Sequence, residues 1–471
     1  MQAMKPTVEL SGKRVLVVGL ARTGIATALF CAARGAQVTA SEERSAEQVA
    51  EAAAKLHAAG VALELGGHRR ETFLNQDLIV PSPGVPADAP YLNAARAAGI
   101  PVWSEIELAW RFLRGRLIAI TGSNGKTTTT ALTGHILEAA GIPTLVGGNI
   151  GIPLISRVET SSEATVTVAE VSSFQLETIH AFRPDVGVLL NLTPDHLDRH
   201  PSFAAYAAAK ARMFENQTER DAAVLNADDP HVTEQMPVRP RVYWFSRTRR
   251  VAAGTCLRAS ATLSDNGEEI VFREDGRETV LLHCSEIGLR GAHNVENVLA
   301  AAAAAYLAGA SPAAIAAGVR SFAGVEHRLE FVAELGGVSF YNDSKATNVD
   351  ATLKALDAFS GSLLVILGGK DKGGDFTLLA PALKRRARLV LLIGSAAEKI
   401  AAQLQGVVPV EQAGTLDRAV HLAYANAQPG DTVLLAPACA SFDQFENFEH
   451  RGRVFKQLVR QLVQQHAAEV R

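Results

Sequence analysis

The sequence predicts an α/β protein of three domains in which strands alternate with helices. At about 150 residues per domain, the 471 residues are too many for a single hydrophobic core. A pattern of short apolar strands followed by helical segments also begins afresh near residues 15, 117 and 324. Hydrophobic residues make up 48% of the chain and charged residues 20%, a composition typical of a protein that folds along its whole length.

The first domain, 1–103, is predicted to be Rossmann-like. An apolar strand at 15–18 leads into a glycine loop at 19–24, an alanine-rich helix and a second strand at 36–40, the order of a nucleotide-binding half-fold. Ala21 stands where the middle glycine of G-x-G-x-x-G allows the closest approach to a diphosphate. The loop is therefore either a nucleotide site or only a tight turn. Prolines at 81–86 predict another loop at a strand end.

The central domain, 104–324, is predicted to be a P-loop ATPase domain with a parallel sheet. A strand at 117–120 runs into TGSNGKTT and then into a helix that stops at Gly141. The backbone N–H groups of such a loop bind phosphate, Lys126 adds a cation, and the Thr127 hydroxyl can reach magnesium. Ile120 occupies the place of the first P-loop glycine, so the loop is a shortened variant, and a glycine-rich turn with an exposed lysine is the alternative. The predicted ATP-binding residues are Gly122, Ser123, Asn124, Gly125, Lys126, Thr127 and Thr128.

Metal-binding candidates follow the next two strands. Glu170 ends a strand at 165–169, and its carboxylate faces the phosphates if that strand lies beside the one that feeds the P-loop. His196 and His200 have the spacing of zinc ligands on a helix, but Leu197 replaces the glutamate of H-E-x-x-H and Pro194 favours a loop. Zinc hydrolysis is thus not expected. One histidine is expected to contact substrate or a second metal and the other to be structural.

Further elements complete the second and third domains. In the central domain these are a strand at 186–191, helices at 203–214 and 294–307, and a strand-rich stretch at 241–283 with a hairpin turn at 265–267. In 325–471, strands at 338–342, 362–367, 389–393 and 432–435 alternate with helices, which predicts a third parallel α/β domain.

Charge and cysteine usage exclude several classes of protein. Lys and Arg total 46 and Asp and Glu total 49, so there is no basic excess for binding nucleic acid. The four cysteines form no C-x-x-C pair, which favours reduced thiols in a cytoplasmic protein. The N-terminal stretch lacks the apolar core of a signal peptide, and no apolar run reaches the roughly 20 residues of a transmembrane helix. A monomer is expected.

Eight motifs recur in the order of a known family. They are TGSNGKTT at 121–128, GGNIG at 147–151, EVSSFQL at 170–176, LNLTPDHLDRH at 190–200, GAHNVENVLAA at 291–301, EHRLE at 326–330, NDSKATN at 342–348 and ACASFDQFENFEHRG at 438–452. Together they resemble the Mur ligases of peptidoglycan synthesis over the whole chain. The resemblance implies a UDP-sugar domain at 1–103, an ATPase domain at 104–324, and a dinucleotide-fold domain at 325–471 that closes on ATP and binds the amino acid.

The resemblance, and NDSKATN in particular, implies an ATP-dependent ligase that adds D-glutamate to UDP-N-acetylmuramoyl-L-alanine through an acyl phosphate. It implies that Lys126, His196 and Lys210 are catalytic and that Thr127, Glu170, His196 and Lys210 hold two magnesium ions. For the last role, carbon dioxide would carbamylate Lys210, which from the helix pattern alone is expected to be an exposed lysine. The other implied contacts are Asn294, Arg328, Asp343 and Lys345 for ATP; Ala21, Arg22, Thr23, Asn149 and Ser173 for the UDP-substrate; and Thr347, Lys372, Ser441 and Phe448 for D-glutamate.

Two features depart from the family pattern, and two other functions stay open. Ala21 is one departure, and SEER at 41–44 is the other, since an acidic residue followed by a hydroxyl is commoner there. The rival functions are another ligase of the Mur or folylpolyglutamate type and a P-loop nucleotide switch without ligase chemistry. Phosphate release that depends on D-glutamate separates the three functions.

Overall fold

The protein is described by a computed structural model that covers residues 5–6, 8–149, 151–197, 199–235, 239–259, 268–289 and 291–469. The chain forms two compact units. One comprises Met1–Glu286 with Glu296–Phe322, and the other comprises Ile287–Val295 with Ala323–Arg471. No helix among the described residues is long and apolar enough to cross a bilayer.

The N-terminal sheet has four parallel strands in the order β3-β2-β1-β4, which confirms the predicted Rossmann-like order. A glycine is required at Gly24, because a Cβ there would lie 1.9 Å from the carbonyl oxygen of Gly19. The predicted proline loop follows the end of β4. The elements are β1 Arg14–Val18, α1 Arg22–Ala33, β2 Gln37–Glu42, α2 Ala50–Ala58, β3 Ala62–Leu65, α3 Arg70–Leu74, β4 Leu78–Pro81 and α4 Pro90–Ala97.

Helix α5, Glu105–Phe112, joins the first sheet to the second. The carboxylate of Glu107 is fully buried and accepts three consecutive backbone N–H groups, from His180, Ala181 and Phe182, at 2.9, 3.0 and 2.7 Å. A buried charge with this many donors is well satisfied. One hydrophobic cluster also runs from β1 through α5 into the central sheet, which explains why both sheets lie in one unit.

The central sheet has nine strands in the order β13-β12-β11-β10-β9-β8-β5-β7-β6. Pairing is parallel from β6 to β11 and antiparallel in the last two pairs. The predicted strand-rich stretch is confirmed, while its turn at 265–267 lies outside the described residues. The elements are β5 Arg116–Thr121, α6 Lys126–Ala139, β6 Thr144–Gly148, β7 Val166–Glu170, α7 Ser173–Leu176, β8 Val186–Leu189, α8 Phe203–Ala211, β9 Ala222–Asn226, α9 Pro230–Gln235, β10 Arg241–Ser246, β11 Gly254–Ala259, β12 Glu268–Glu274, β13 Arg277–His283, α10 Ala292–Leu307 and α11 Pro312–Ser321.

Two elements predicted in the central domain, one strand and one helix, are shorter than expected. The strand expected at 186–191 ends at Leu189, because Asn191 leaves the ladder and bonds to the P-loop instead. The helix expected at 203–214 is α-helical to Ala211 and continues as a 3₁₀ turn, Arg212–Phe214.

The C-terminal sheet has six strands in the order β14-β15-β19-β16-β17-β18. Its four predicted strands are present and mutually parallel, but the edge strand β14 is antiparallel to β15, a correction to the expected all-parallel domain. An edge strand need pair on one side only, which permits either direction. The elements are β14 Glu330–Leu335, β15 Val338–Asn342, α12 Val349–Asp357, β16 Leu363–Gly368, α13 Ala380–Arg386, β17 Ala387–Ile393, α14 Ala397–Gln403, β18 Val410–Gly414, α15 Leu416–Asn426, β19 Thr432–Leu435 and α16 Phe448–Glu469.

Candidate active site

The P-loop connects β5 to the N-terminus of α6, in the strand–loop–helix context that phosphate binding needs. Gly125 caps the helix with a φ of 85°, a left-handed conformation that favours glycine. A Cβ at Gly125 would also lie 2.3 Å from Oδ1 of Asn297. The Thr128 hydroxyl is buried and, within the described chain, has no hydrogen-bond partner.

Two lysines converge on this loop. Lys126 Nζ donates to the carbonyl oxygens of Gly122 and Ser123, each at 2.8 Å. Lys210 Nζ donates to the same carbonyl of Gly122 at 3.0 Å, and its side chain lies 4.7 Å from the ring centroid of Tyr206. Lys210 is only 1% exposed, so the expectation of an exposed helix lysine was wrong. Burial, helped by the nearby charge of Lys126, holds the pKa of Lys210 well below its usual range.

Glu170 lies where the sequence predicted it. Strand β7 pairs with β5 so that Glu170 is in register with Ile120, immediately before the P-loop. Its side chain is 2% exposed, and Oε1 accepts from Nδ2 of Asn149 at 3.1 Å. In the described part of the chain, no lysine or arginine forms an ion pair with it. A buried carboxylate of this kind, beside a phosphate-binding loop, has the donor chemistry that magnesium prefers.

The loop after β8 is bonded to the P-loop. Ser123 N donates to Asn191 O at 2.9 Å, and Asn124 N donates to Oδ1 of the same asparagine at 2.8 Å. Ser123 Oγ donates to Thr193 O at 2.9 Å and lies 2.9 Å from the hydroxyl of Tyr206. These bonds order the backbone that carries His196 next to the loop that carries Lys126.

The two histidines of this loop have different environments. His196 is exposed and has a φ of 54°, an uncommon conformation outside glycine that often marks a functional position. His200 is 3% exposed, lies 3.0 Å from Ser173 Oγ and stacks on Phe174 with ring centroids 5.5 Å apart. The predicted loop is confirmed, and burial and stacking favour His200 as the structural histidine of the pair. The metal-binding role of His196 stays a prediction.

Contacts between the first two domains surround the candidate UDP-substrate residues. Arg22 Nη1 donates to Gly151 O at 2.9 Å, while Arg199 donates to Gly84 O at 3.2 Å and to Val85 O at 2.7 Å. Ala21 is exposed with a φ of −84°, so its backbone does not require the glycine that the fingerprint has there. Beside it, Thr23 is partly buried in the first turn of α1.

The segment SEER at 41–44, which departs from the family pattern, has a structural role. Oε2 of Glu42 accepts from the backbone N–H of Leu20 at 2.7 Å and from Arg44 Nη2 at 2.9 Å. The Arg44 guanidinium lowers the pKa of the Glu42 carboxyl to about 2. Glu42 therefore fastens the end of β2 to the glycine loop.

In the second unit, the predicted ATP contacts Asp343 and Lys345 lie on one loop after β15. Asp343 is 5% exposed, accepts from Leu329 N at 3.3 Å and has a pKa raised by burial to about 6, which the charges of Arg328 and Lys345 oppose. Lys345 N donates to His327 O at 3.1 Å, and Asn294, at the start of α10, is buried.

The four predicted D-glutamate residues lie on three loops and a helix start in the same unit. An antiparallel bridge between Lys370 and Ala440 joins the loop that carries Lys372 to the loop that carries Ser441. Ser441 is buried and Lys372 exposed, while Phe448 and Thr347 are partly buried.

Some site residues were not singled out from the sequence. Asn297 closes over Gly125 and accepts from Thr129 Oγ1 at 3.3 Å. Tyr206 holds Ser123, and Phe174 contacts both histidines. Each of these residues lies within a motif or helix already noted. Helical spacing could have pointed to two of them, because Tyr206 lies four positions before Lys210 and Asn297 lies three positions after Asn294.

Among the described residues, no three His, Cys, Asp or Glu side chains cluster as a metal site. Magnesium typically takes only one or two protein carboxylates and completes its shell with phosphate oxygens and water. Glu170 and the Thr127 hydroxyl beside the P-loop fit that kind of site.

Comparison with known proteins identifies the family. Residues 13–104 match the Mur ligase MurD-like N-terminal domain, 120–305 the Mur ligase middle domain, and 327–439 the Mur ligase glutamate ligase domain. A protein of Acidobacterium capsulatum named UDP-N-acetylmuramoylalanine--D-glutamate ligase is 56% identical over 96% of this chain and 97% of its own length. The chain belongs to the Mur ligase family. Mur ligases of the same name from Koribacter versatilis and Solibacter usitatus are 53% and 54% identical over 97% and 96% of the chain, covering 99% and 98% of those proteins.

Solved Mur ligase structures share the fold. UDP-N-acetylmuramate-alanine ligase MurC from Thermotoga maritima superposes with a TM-score of 0.59 at 20% identity, covering 95% of this chain and 99% of that one. A pseudomurein peptide ligase type C from Methanothermus fervidus gives 0.57 at 19% identity, with 96% and 100% covered. The predicted three-domain α/β architecture is therefore that of a Mur ligase.

Proposed function

We propose that this Mur ligase joins D-glutamate to UDP-N-acetylmuramoyl-L-alanine, with ATP as co-substrate. The observation that carries the proposal is the meeting of Lys126 and Lys210 at the carbonyl of Gly122, beside a buried Glu170. A P-loop alone is compatible with a nucleotide switch, whereas a buried lysine with a lowered pKa at the phosphate site suits ligase chemistry better. The name shared by relatives at 53–56% identity supports the choice of substrates.

Two anions, the alanyl carboxylate and ATP, must meet in this reaction. The site must therefore offset the repulsion between them. A carboxylate does not acylate an amine in water, because its oxide is a poor leaving group. Attack of the alanyl carboxylate on the terminal phosphoryl group of ATP gives an acyl phosphate and ADP. The neutral amine of D-glutamate then displaces phosphate, forming the amide and losing a proton.

Charge compensation is the main contribution of the P-loop residues. Two like charges about 4 Å apart repel by roughly 4 kcal/mol at an effective dielectric of 20. Lys126 and the backbone N–H groups of 122–128 offset this repulsion at the ATP phosphates. Magnesium would supply further positive charge at the ATP phosphates when bound. We propose that Thr127 and Glu170 hold one ion, and that His196 and Lys210 hold a second.

The proposed role of Lys210 needs its amine to be neutral. An ammonium group cannot add to carbon dioxide, while a free amine can, losing a proton and forming a carbamate that is an anionic oxygen ligand. Burial lowers the pKa of Lys210 and so favours its neutral amine over its ammonium form. This lowered pKa is the physical support for the carbamylation that the family resemblance implied.

The remaining assignments are proposals from the motifs. The proposed contacts are Asn294, Arg328, Asp343 and Lys345 for ATP; Ala21, Arg22, Thr23, Asn149 and Ser173 for the UDP-substrate; and Thr347, Lys372, Ser441 and Phe448 for D-glutamate. We also propose domain limits of 1–103, 104–324 and 325–471. The protein is proposed to be a monomer in the cytoplasm, a reducing compartment that suits its four free cysteine thiols.

Phosphate release from ATP with magnesium tests the proposal. Release should require both UDP-N-acetylmuramoyl-L-alanine and D-glutamate, and a new amide should form in equal amount. Equal release when either is omitted would indicate a nucleotide switch. Release that depends on another amino acid, or on a folate acceptor, would indicate a different ligase.

A further inference from the structure

Lys399, on α14, is a lysine that the proposed mechanism does not use, and it lies against the loop that carries Lys372. Its Nζ donates to Oδ2 of Asp371 at 2.7 Å and to the carbonyl oxygen of Gly374 at 2.9 Å. The same atom lies 5.3 Å from the ring centroid of Phe376. One ammonium group thus contacts the loop both before and after Lys372.

Asp371 fixes the turn of this loop. Its Oδ1 accepts from the backbone N–H groups of Gly373 and Gly374, at 3.0 and 2.9 Å, while Oδ2 is the atom that bonds to Lys399. Among the described residues, Lys399 is the only lysine or arginine within ion-pair distance of Asp371. Two glycines give the turn a large conformational freedom unless such bonds restrict it. Lys399 and Asp371 therefore set the path of the backbone on either side of Lys372.

Helix α14 also holds both ends of the loop. The backbone N–H of Ala396, its N-cap residue, donates to Gly369 O at 2.9 Å. Oε1 of Gln403, its last residue, accepts from Phe376 N at 2.9 Å. Lys399 supplies a third attachment, at the turn between these two points.

The segment before α14 is bonded to a second loop assigned to D-glutamate. Ser395 N donates to Oδ2 of Asp443, two residues after Ser441, at 2.9 Å. Gly394 has a matching constraint, because a Cβ there would lie 2.2 Å from the same carboxylate oxygen. The loops that carry Lys372 and Ser441 are therefore both attached to the start of α14.

We propose that Lys399 is a positioning residue for the acidic amino-acid substrate, and that it acts by fixing the loop on which Lys372 presents its cation. This inference rests on the proposed function, which assigns Lys372 to D-glutamate. Lysine suits the task because its ammonium group has three donors on one atom, and two of them reach different points of the loop. A cation that is held in place binds an anionic substrate better than one on a freely moving loop, because less conformational entropy is lost on binding.

Lys399→Met tests the role, with Lys384→Met as the matched control. Lys384 is exposed on α13 of the same unit, away from the loop in sequence. Because the Lys399–Asp371 pair is partly exposed, with 40% and 27% of the two side chains accessible, a moderate effect is expected. The KM for D-glutamate should rise about three- to tenfold in Lys399→Met, while the KM for ATP should change less than about twofold. Lys399→Arg, which keeps the charge and the donors, and Lys384→Met should both stay close to the wild type.

A double-mutant cycle shows whether Lys399 acts through Asp371. In Asp371→Asn the amide oxygen can still accept from the N–H groups of the turn, while the amide nitrogen cannot accept from Lys399. Adding Lys399→Met to Asp371→Asn should raise the D-glutamate KM by less than about twofold more, because both changes remove the same contact. Effects of the two substitutions that multiply as if independent overturn the inference.

The first half-reaction separates positioning from general structural damage. Acyl phosphate formed from ATP and UDP-N-acetylmuramoyl-L-alanine without D-glutamate, and trapped by hydroxylamine, should form in Lys399→Met at the wild-type rate. An unchanged D-glutamate KM, or a loss of trapping equal to the loss of amide formation, contradicts the inference. If Lys399→Met does not fold, Lys399→Gln removes the charge with a smaller change in polarity and is held to the same outcomes. A wild type that does not use D-glutamate defeats the proposed function instead.

Discussion

Lys126 and Lys210 donate to the same carbonyl oxygen, that of Gly122, at 2.8 and 3.0 Å. Two ammonium groups sharing one acceptor repel each other, and the more deeply buried of the two loses its proton more easily. Lys210 is that residue, and its pKa lies well below the usual lysine range because of burial and the nearby charge of Lys126. The pair therefore places Lys126 at the phosphate-binding loop beside a second lysine, Lys210, whose amine loses its proton more readily than usual.

Loss of the cation should stop ATP use while leaving the fold intact. In Lys126→Met we expect kcat for phosphate release to fall at least 100-fold, because removing one preorganised charge from a developing oxyanion typically costs 10²–10³ in rate. Lys55→Met is the matched control, since Lys55 is exposed on α2. Stopped activity in both variants, or activity in Lys126→Met within threefold of the wild type, would contradict the assignment.

Lys210 should lower the stability of the folded protein while being needed for its activity. Its folded-state pKa lies below its ordinary value, so the unfolded chain binds more protons at neutral pH and the lysine lowers the free energy of unfolding. That penalty fades as the pH rises toward 10.5. Lys210→Met should thus melt above the wild type at pH 7 in carbon-dioxide-free buffer, with a smaller difference at high pH.

The same variant should lose activity more than tenfold, and excess bicarbonate should not restore it. Phosphate release at pH 7 with both co-substrates measures this loss. A Lys210→Met enzyme that keeps full activity removes the residue from the site, whatever its melting temperature.

Gly24 should be irreplaceable for a steric reason. A Cβ at this position would lie 1.9 Å from Gly19 O and 2.8 Å from Ser82 Oγ, so the loop or the helix must move. We expect Gly24→Ala to lower the free energy of unfolding by about 2–4 kcal/mol, in the range of overpacked or strained sites. Gly84→Ala is the control, because its Cβ meets nothing within 4 Å. Equal denaturation midpoints for the two variants would show that the glycine loop adapts.

Strands with short apolar runs and loops marked by glycines could be predicted from the sequence. Strands β1, β5, β15 and β19 and the P-loop lie as expected because buried parallel strands read as short apolar runs. The edge strand β14 was not predicted, since its Phe331 is 55% exposed and its pattern lacks a continuous apolar run.

Side-chain burial at the site could not be predicted from local pattern. Lys210 sits in an alanine-rich helix segment whose buried face is decided by the P-loop that packs on it, a contact 88 residues distant in sequence. Glu170 was predicted because strand order places it beside β5, a rule of topology. Tyr206 and Asn297 were missed because their roles depend on long-range hydrogen bonds.

Asp343 makes the stability of the C-terminal domain depend on pH in a direction that can be stated in advance. Burial raises its pKa from 3.8 to about 6, so between these values the folded state binds more protons than the unfolded state. Its contribution to the free energy of unfolding is complete below pH 4 and is lost as the pH rises through 6. At 1.36 kcal/mol per pKa unit, the loss is on the order of 3 kcal/mol.

Asp343→Asn removes this titration while keeping the shape of the side chain. At pH 7–8 the variant should be more stable than the wild type by up to about 3 kcal/mol, and near pH 4 the two should converge, because the wild-type carboxyl is then neutral as well. Urea denaturation at several pH values measures the difference. If Asp343 contacts ATP as proposed, the stabilised variant should also show a raised KM for ATP at pH 7, since a neutral amide does not replace the carboxylate in that contact. Parallel stability curves for variant and wild type from pH 4 to 8 would mean that the charges of Arg328 and Lys345 compensate Asp343 fully.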